Sequence, residues 1–140
     1  MDYRKFGNKY IIRIDKGEEV VETLKKFCTK NNLKLGTITG LGATNKVTIG
    51  LFEAQSKKYF SKELIGNHEI APLYGNITTM NGEVYLHLHV NLGNDEHKSF
   101  AGHLNSAIVS ATVEVVIDAI EGEVEREFSD EIGLNLLKFI

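Results

Sequence analysis

The sequence predicts an α+β fold, a largely antiparallel β-barrel or sandwich with one main helix packed on it. Three observations carry that expectation. Only one stretch, just after Asp15, has apolar residues at helical spacing. From Leu35 onward the chain is a series of short β-branched or aromatic segments punctuated by glycine, enough for seven or eight strands. Strands and helices do not alternate, which argues against a doubly wound parallel sheet.

KYIIRID (9–15) reads as a strand, since apolar and polar positions partly alternate and β-branched residues are frequent. A helix follows at once. Asp15 with Glu18 three residues on is a capping-box pattern. Val20, Val21, Leu24, Phe27 and Cys28 share one face, and Asn31-Asn32 ends the helix. Cys28, the single cysteine, lies on the apolar face and reads as a buried structural thiol, because apolar burial raises a thiol's pKa and quenches its reactivity.

The later strand segments are LGTITGLGA, KVTIGLFEA, KKYFSKEL, LYGNITTM, EVYLHLHVNL, AIVSATVEVVIDAI, EVEREF and LNLLKF. Asn81-Gly82 tolerates the positive φ angles of a tight hairpin and predicts antiparallel pairing across residues 74–91. Pro72, the single proline, is expected to break the chain just before that hairpin. TGLGA (39–43) invites comparison with a dinucleotide fingerprint, but Asn45 stands where the third glycine belongs and no helix follows. Gly40 and Gly42 are read instead as places of close backbone approach or a bulge.

The 140 residues fit a single domain, 1–140, without linker, repeat or low-complexity tract. Hydrophobic residues at 42% and charged residues at 25% are those of a soluble globular chain. No apolar run reaches the roughly 18 residues of a membrane span, and MDYRKFGNKY lacks the apolar stretch of a signal peptide, so no membrane association and a cytoplasmic location are expected. The net charge of −3 provides no global basic field, and the short lysine clusters read as solvated faces. Direct binding of nucleic acid by the isolated chain is therefore not expected.

Chemistry concentrates in HLHVNLGNDEHKSFAGHL (87–104), which holds four of the five histidines. His87 and His89 are i and i+2 on a predicted strand and so share a face, which brings two imidazoles within reach of one ion. His-x-His on a strand is a common zinc donor arrangement. His97 lies in a polar loop and is expected to be solvated, whereas His103 follows Gly102, whose missing side chain permits close approach of another backbone. His103 is the better third ligand. Paired strand histidines also occur as plain exposed or hydrogen-bonded residues, and the pattern alone does not choose.

IIRIDKGEEVVETLKKF, ITGLGATNKVTIGLF, HEIAPLYGNIT, and VYLHLHVNLG with AGHLNSAIVSATVEVVI, in this order, resemble the plants and prokaryotes conserved (PPC) domain family. The resemblance covers roughly residues 3–139 and implies a compact α+β domain, usually a homotrimer. Plant members carry AT-hook segments that lie in the minor groove of A·T-rich DNA; this sequence has no such motif. Prokaryotic members are similar in lacking the hook, and several look like metal proteins that use the His-x-His pair and the Gly-His histidine. Carried across, the resemblance implies a divalent transition metal, zinc foremost, on His87, His89 and His103.

Glu114 matches a recurring acidic position of the prokaryotic pattern, where it would orient a ligating imidazole or accept a proton from bound water, with a solvent-facing strand glutamate as the alternative. Glu69 matches the pattern as well. The resulting expectation is a small cytosolic metal-binding protein whose three-histidine site keeps a position open to water or a small ligand, as catalytic zinc sites do. Two alternatives stand beside it: a DNA-associated regulator acting through partners, and a trimeric protein-interaction module. Metal loss is expected as pH falls through the histidine range near 6.

Overall fold

The computed structural model describes residues 1–139 and contains eight strands and one helix. In chain order these are β1 (Asp2–Phe6), β2 (Lys9–Asp15), α1 (Val20–Lys30), β3 (Gly36–Glu53), β4 (Lys58–Met80), β5 (Glu83–Gly93), β6 (Ser99–Ala119), β7 (Glu125–Ser129) and β8 (Leu134–Lys138). β3 pairs with β4 and β6, and β5 pairs with the same two strands, all antiparallel. These four strands form a partial ring. β2 and β1 extend it from β6, while β7 and β8 extend it from β4, where β7 makes one parallel pairing between Thr79 and Glu125. The α+β expectation of an antiparallel barrel-like sheet with one helix holds.

The short segments of the sequence fuse into long bent strands. LGTITGLGA and KVTIGLFEA are one strand, β3; Gly40 and Gly42 mark a register shift rather than a turn, and a second shift falls at Thr44/Lys46. A Cβ on Gly40 would lie 2.9 Å from the carbonyl oxygen of Glu114 on β6, so glycine here does permit close strand approach. Pro72 does not break the chain. It lies within β4 at the irregularity between Ile70 and Leu73, where the ladder to β5 already lacks regular pairs and no N–H is required. β1 carries no apolar pattern because all five of its residues are exposed, and the sequence gives no sign of it.

The helix begins later than the capping-box pattern implied. Gly17 has φ of 90°, which takes the chain out of helical conformation, so α1 can start only beyond it. Glu19 is the N-cap: its carboxylate accepts from the N–H groups of Val21 at 3.1 Å and Glu22 at 2.6 Å. It also accepts from Ala107 N–H at 2.8 Å, which ties the start of the helix to β6. Asp15 and Glu18 close a separate turn, with Asp15 N–H donating to the Glu18 carboxylate at 2.7 Å. The other end is as expected, with Asn31 N–H bonded to the Phe27 carbonyl at 3.0 Å.

α1 packs on β5 and β6. Val20, Leu24, Phe27 and Cys28 enter a core with Ile12 and Ile14 of β2, Leu88, Val90 and Leu92 of β5, and Val113, Val115 and Ile117 of β6. Each such side chain contributes about 1.5–3 kcal/mol by leaving water. Burial pushes the Cys28 thiol up to about 12, which agrees with an inert structural role. Asn81 and Gly82, with φ of 53° and 78°, form the expected hairpin turn between β4 and β5.

Candidate metal centre

Strand alternation on β5 divides the chain's apolar and imidazole chemistry. Leu88, Val90 and Leu92 point into the core, so His87 and His89 lie on the opposite face. β6 supplies the third histidine. His89 and His103 are direct ladder partners, and theirs is the last pair of the β5–β6 ladder, which runs from Gly93–Ser99 to this point. Directly paired residues hold their Cβ atoms about 4.5–5.5 Å apart, and the i+2 neighbour on the same face completes a triangle.

Two glycines let the strands close around these positions. A Cβ on Gly102 would lie 2.7 Å from the carbonyl oxygen of Gly50 on β3, which is the close approach expected of it. A Cβ on Gly75 of β4 would collide with the His87 carbonyl oxygen and lie 2.9 Å from Leu88 Cα.

The ring centroids of His87, His89 and His103 are 5.0, 5.4 and 5.6 Å apart. One ligating nitrogen from each lies within 4.8 Å of the others, and the Nε2 atoms of His87 and His89 are 3.2 Å apart. Zn–N bonds of about 2.0–2.1 Å at tetrahedral angles set ligand nitrogens about 3.3 Å apart, so the residues present fit such an ion. Three neutral imidazoles suit zinc, nickel or copper.

The half-buried position of His87 holds its imidazole down at about 4, chiefly by desolvation, with further lowering by the positive charge of Arg126 and by His103 and His89. Burial and the neighbouring His89 lower His103 as well. Both therefore favour the neutral, metal-binding form.

The remaining candidates lie elsewhere. His97 is exposed in the loop after β5, at φ of 58°, as expected. His68, the fifth histidine, is buried beside Phe100, and its Nδ1 lies 2.7 Å from the Gly66 carbonyl oxygen. Glu69 is exposed on β4, paired with Ala43 and Gly93, and does not line the histidine cavity. Glu114 does not line it either. It is exposed on β6, paired with Arg13 and Leu41, and borders a separate groove with Asp2, Arg4 and Arg13. At about 3.3 Å per residue it is on the order of 35 Å along the strand from His103. Within one chain Glu114 thus neither orients a ligating imidazole nor serves as a base at the cluster.

The sequence reading missed most of what surrounds the histidines. They open into a cavity of about 650 Å³ whose walls include Tyr59, Tyr85, Asn76, Arg126, Leu136 and Leu137. Tyr59 stands edge-on to His103, with ring centroids 6.3 Å apart. Arg126 of β7 is buried and donates to Thr78 Oγ1 at 2.8 Å, the Asn135 carbonyl at 2.9 Å and Asn76 Oδ1 at 3.0 Å. Its guanidinium also lies over the Tyr85 ring, 4.8 Å from the centroid. A single arginine inside EVEREF resembles any charged edge strand, and only the fold reveals its burial.

Three solved structures are similar to the chain along nearly its whole length. A protein from Bacteroides thetaiotaomicron, provisionally described as DNA-binding, is 38% identical with a TM-score of 0.97, the match covering 99% of this chain and 96% of that one. A plant- and prokaryote-conserved (PPC) protein from Pyrococcus horikoshii is 31% identical with a TM-score of 0.87, covering 99% and 96%. A metal-containing protein from Archaeoglobus fulgidus is 29% identical with a TM-score of 0.88, covering 99% of both chains. No curated protein matches the chain. The model of the Plants and Prokaryotes Conserved (PCC) domain matches residues 1–121, and the chain belongs to that family.

Proposed function

We propose that this protein is a metal-binding member of its family, in which His87, His89 and His103 hold one divalent ion, zinc foremost, with a coordination position open to a small molecule. The observation that carries the reading is the convergence of three imidazole nitrogens within 4.8 Å. The 29% identical Archaeoglobus protein described as metal-containing supports it. Elemental analysis of protein purified without a histidine tag after zinc-supplemented growth should find about one zinc per chain. Replacing any of the three histidines with Ala should abolish it, whereas His97→Ala should not. An empty parent protein, or a His87→Ala protein as zinc-rich as the parent, would refute the reading.

The assembly that fits best is a homotrimer. Ile11, Val116 and Tyr74 are exposed at corresponding ladder positions of β2, β6 and β4, with Thr39 of β3 between the last two, so association would cover apolar surface here. Light scattering giving the mass of one 15.6 kDa chain would exclude it. No helix among the described residues is long and apolar enough to cross a membrane. We place the protein in the cytosol, where an unpaired, buried Cys28 stays reduced.

The 38% identical Bacteroides protein favours a second reading, association with DNA. A net charge of −3 gives little phosphate neutralisation, so such association would run through partner proteins. A gel shift of A·T-rich duplex by the isolated protein, tight and salt-sensitive, would reverse that order.

A further inference from the structure

Arg126 is a cation at the wall of the histidine cavity with no counter-charge among the described residues. It is 8% exposed, yet among the described residues no carboxylate lies within ion-pair distance of it. Its three hydrogen-bond partners, Thr78, Asn135 and Asn76, are all neutral, and they occupy three of the five N–H groups of a guanidinium. Buried charges are ordinarily paired, because an isolated ion loses its hydration without recompense. Here the ladder fixes the charge beside the imidazoles: Asn76, which accepts from Arg126, is the strand partner of His87. The β7–β8 hairpin that carries Arg126 also brings Leu134, Leu136 and Leu137 to the same cavity.

A volume of about 650 Å³ is that of a small-molecule site. Its features are an apolar wall, a buried cation held rigidly at three points, and three imidazoles. Inorganic phosphate or sulfate would satisfy the cation but leave the leucines facing water. A ligand that uses both has an anionic end and a short apolar body, and a planar guanidinium matches a carboxylate in a two-bond fork.

We propose that the cavity binds a small monocarboxylic acid, with its carboxylate on Arg126 and its hydrocarbon part against Leu134, Leu136 and Leu137. The inference deepens the metal reading and rests on it only for the ligand's further contact with the ion.

The test uses full-length protein, zinc-loaded and chelator-treated, titrated calorimetrically with butyrate, with butyramide as its neutral isostere, and with inorganic phosphate. Zinc content is measured separately in every sample. Butyrate should bind on the order of tenfold tighter than butyramide, and tighter than phosphate, in both forms of the protein. In Arg126→Gln with zinc content unchanged, that preference should vanish. A preference that survives intact in Arg126→Gln means the ion alone holds the carboxylate, and the proposal fails. It fails equally if the parent protein binds butyrate and butyramide alike, or binds phosphate better. Should Arg126→Gln not fold, the chelator-treated parent decides, since its preference for butyrate owes nothing to metal. A parent that takes up no zinc yet prefers butyrate sinks the metal reading and upholds this one.

Discussion

Gly75→Ala tests whether the β4–β5 contact sets the position of His87. The added Cβ would meet the His87 carbonyl oxygen and, at 2.9 Å, the Leu88 Cα, both backbone atoms that no rotamer change can move. Contacts below 3.0 Å are essentially never seen for a real Cβ, so the two strands must part at this point by on the order of 1 Å. Forced repacking of this kind costs about 1–3 kcal/mol, and the rigid obstacle places Gly75→Ala near the upper end. A loss of about 3 kcal/mol in a chain of this size lowers Tm by roughly 10 °C. Gly93→Ala is the matched control, because Gly93 lies on the same strand pair, has no atom within 4 Å of its added Cβ and is not at positive φ. It should be neutral or stabilise by about 0.4–1 kcal/mol. Urea unfolding gives the stabilities, and zinc titration reports the site, where displacement of one ligand by about 1 Å should weaken binding severalfold or more. If Gly75→Ala unfolds at the parental midpoint, the close approach does not constrain β5 and the reasoning is wrong.

Three further outcomes follow from the same structure. The metal-free protein should lose stability as pH falls from about 6.5 to about 4: the unfolded His87 takes up a proton that the folded one, held at about 4, refuses. The contribution is fully present above that window and absent below it; half-burial and screening reduce its ceiling of about 3 kcal/mol to on the order of 1–2 kcal/mol, and an unfolding series in which His87→Ala keeps the parental slope would contradict this. For the same reason zinc should be retained at pH 6, lower than the sequence alone suggested, and a release midpoint at or above pH 6 counts against the lowered imidazoles. Cys28 should resist a thiol reagent in the native protein and react fully in denaturant; rapid native labelling would contradict its burial.

How much of the site could be read from the sequence depends on the range of the interaction that makes each part. His87 and His89 were legible because their convergence is a property of two residues on one strand. His103 was legible as a histidine beside a glycine, though its pairing with His89 comes from the β5–β6 ladder. The fold class was legible too, from one helical stretch amid β segments. The lengths of β3, β4 and β6 were not, because glycine and proline inside a strand look locally like turns, and only pairing on both sides carries the strand through a bulge. The helix start was misplaced for a similar reason: Asp15 and Glu18 do bond to each other, but in a turn that Gly17 separates from the helix. Glu114 matched a pattern position whose place on β6 a linear comparison does not contain.

The three histidines and the wall that faces them arise from different parts of the chain. His87, His89 and His103 fall within residues 1–121, the part that matches the family model, on strands whose inner faces build the core. Arg126 and the leucines arrive on the β7–β8 hairpin beyond it, joined to β4 through a single parallel pairing and through the Arg126 hydrogen bonds to Thr78 and Asn76. The Glu125 carboxylate, which accepts from Asn81 and Gly82 N–H, joins the hairpin to the β4–β5 turn, and Asn135, which donates to the Tyr85 hydroxyl, joins it to β5. A hairpin attached at an edge can change its inward side chains without disturbing the packing of Leu88, Val90 and Ile117, whereas a change at the histidine ladder moves strands that the core requires. On the proposed reading, ion chemistry would be fixed by the core scaffold, and discrimination among ligands would fall to the hairpin. The burial of a charged arginine in that hairpin is the physical sign on which the proposed selection rests, since its hydrogen bonds to Thr78, Asn76 and Asn135 and its place over Tyr85 leave the positive charge itself without an anionic partner among the described residues.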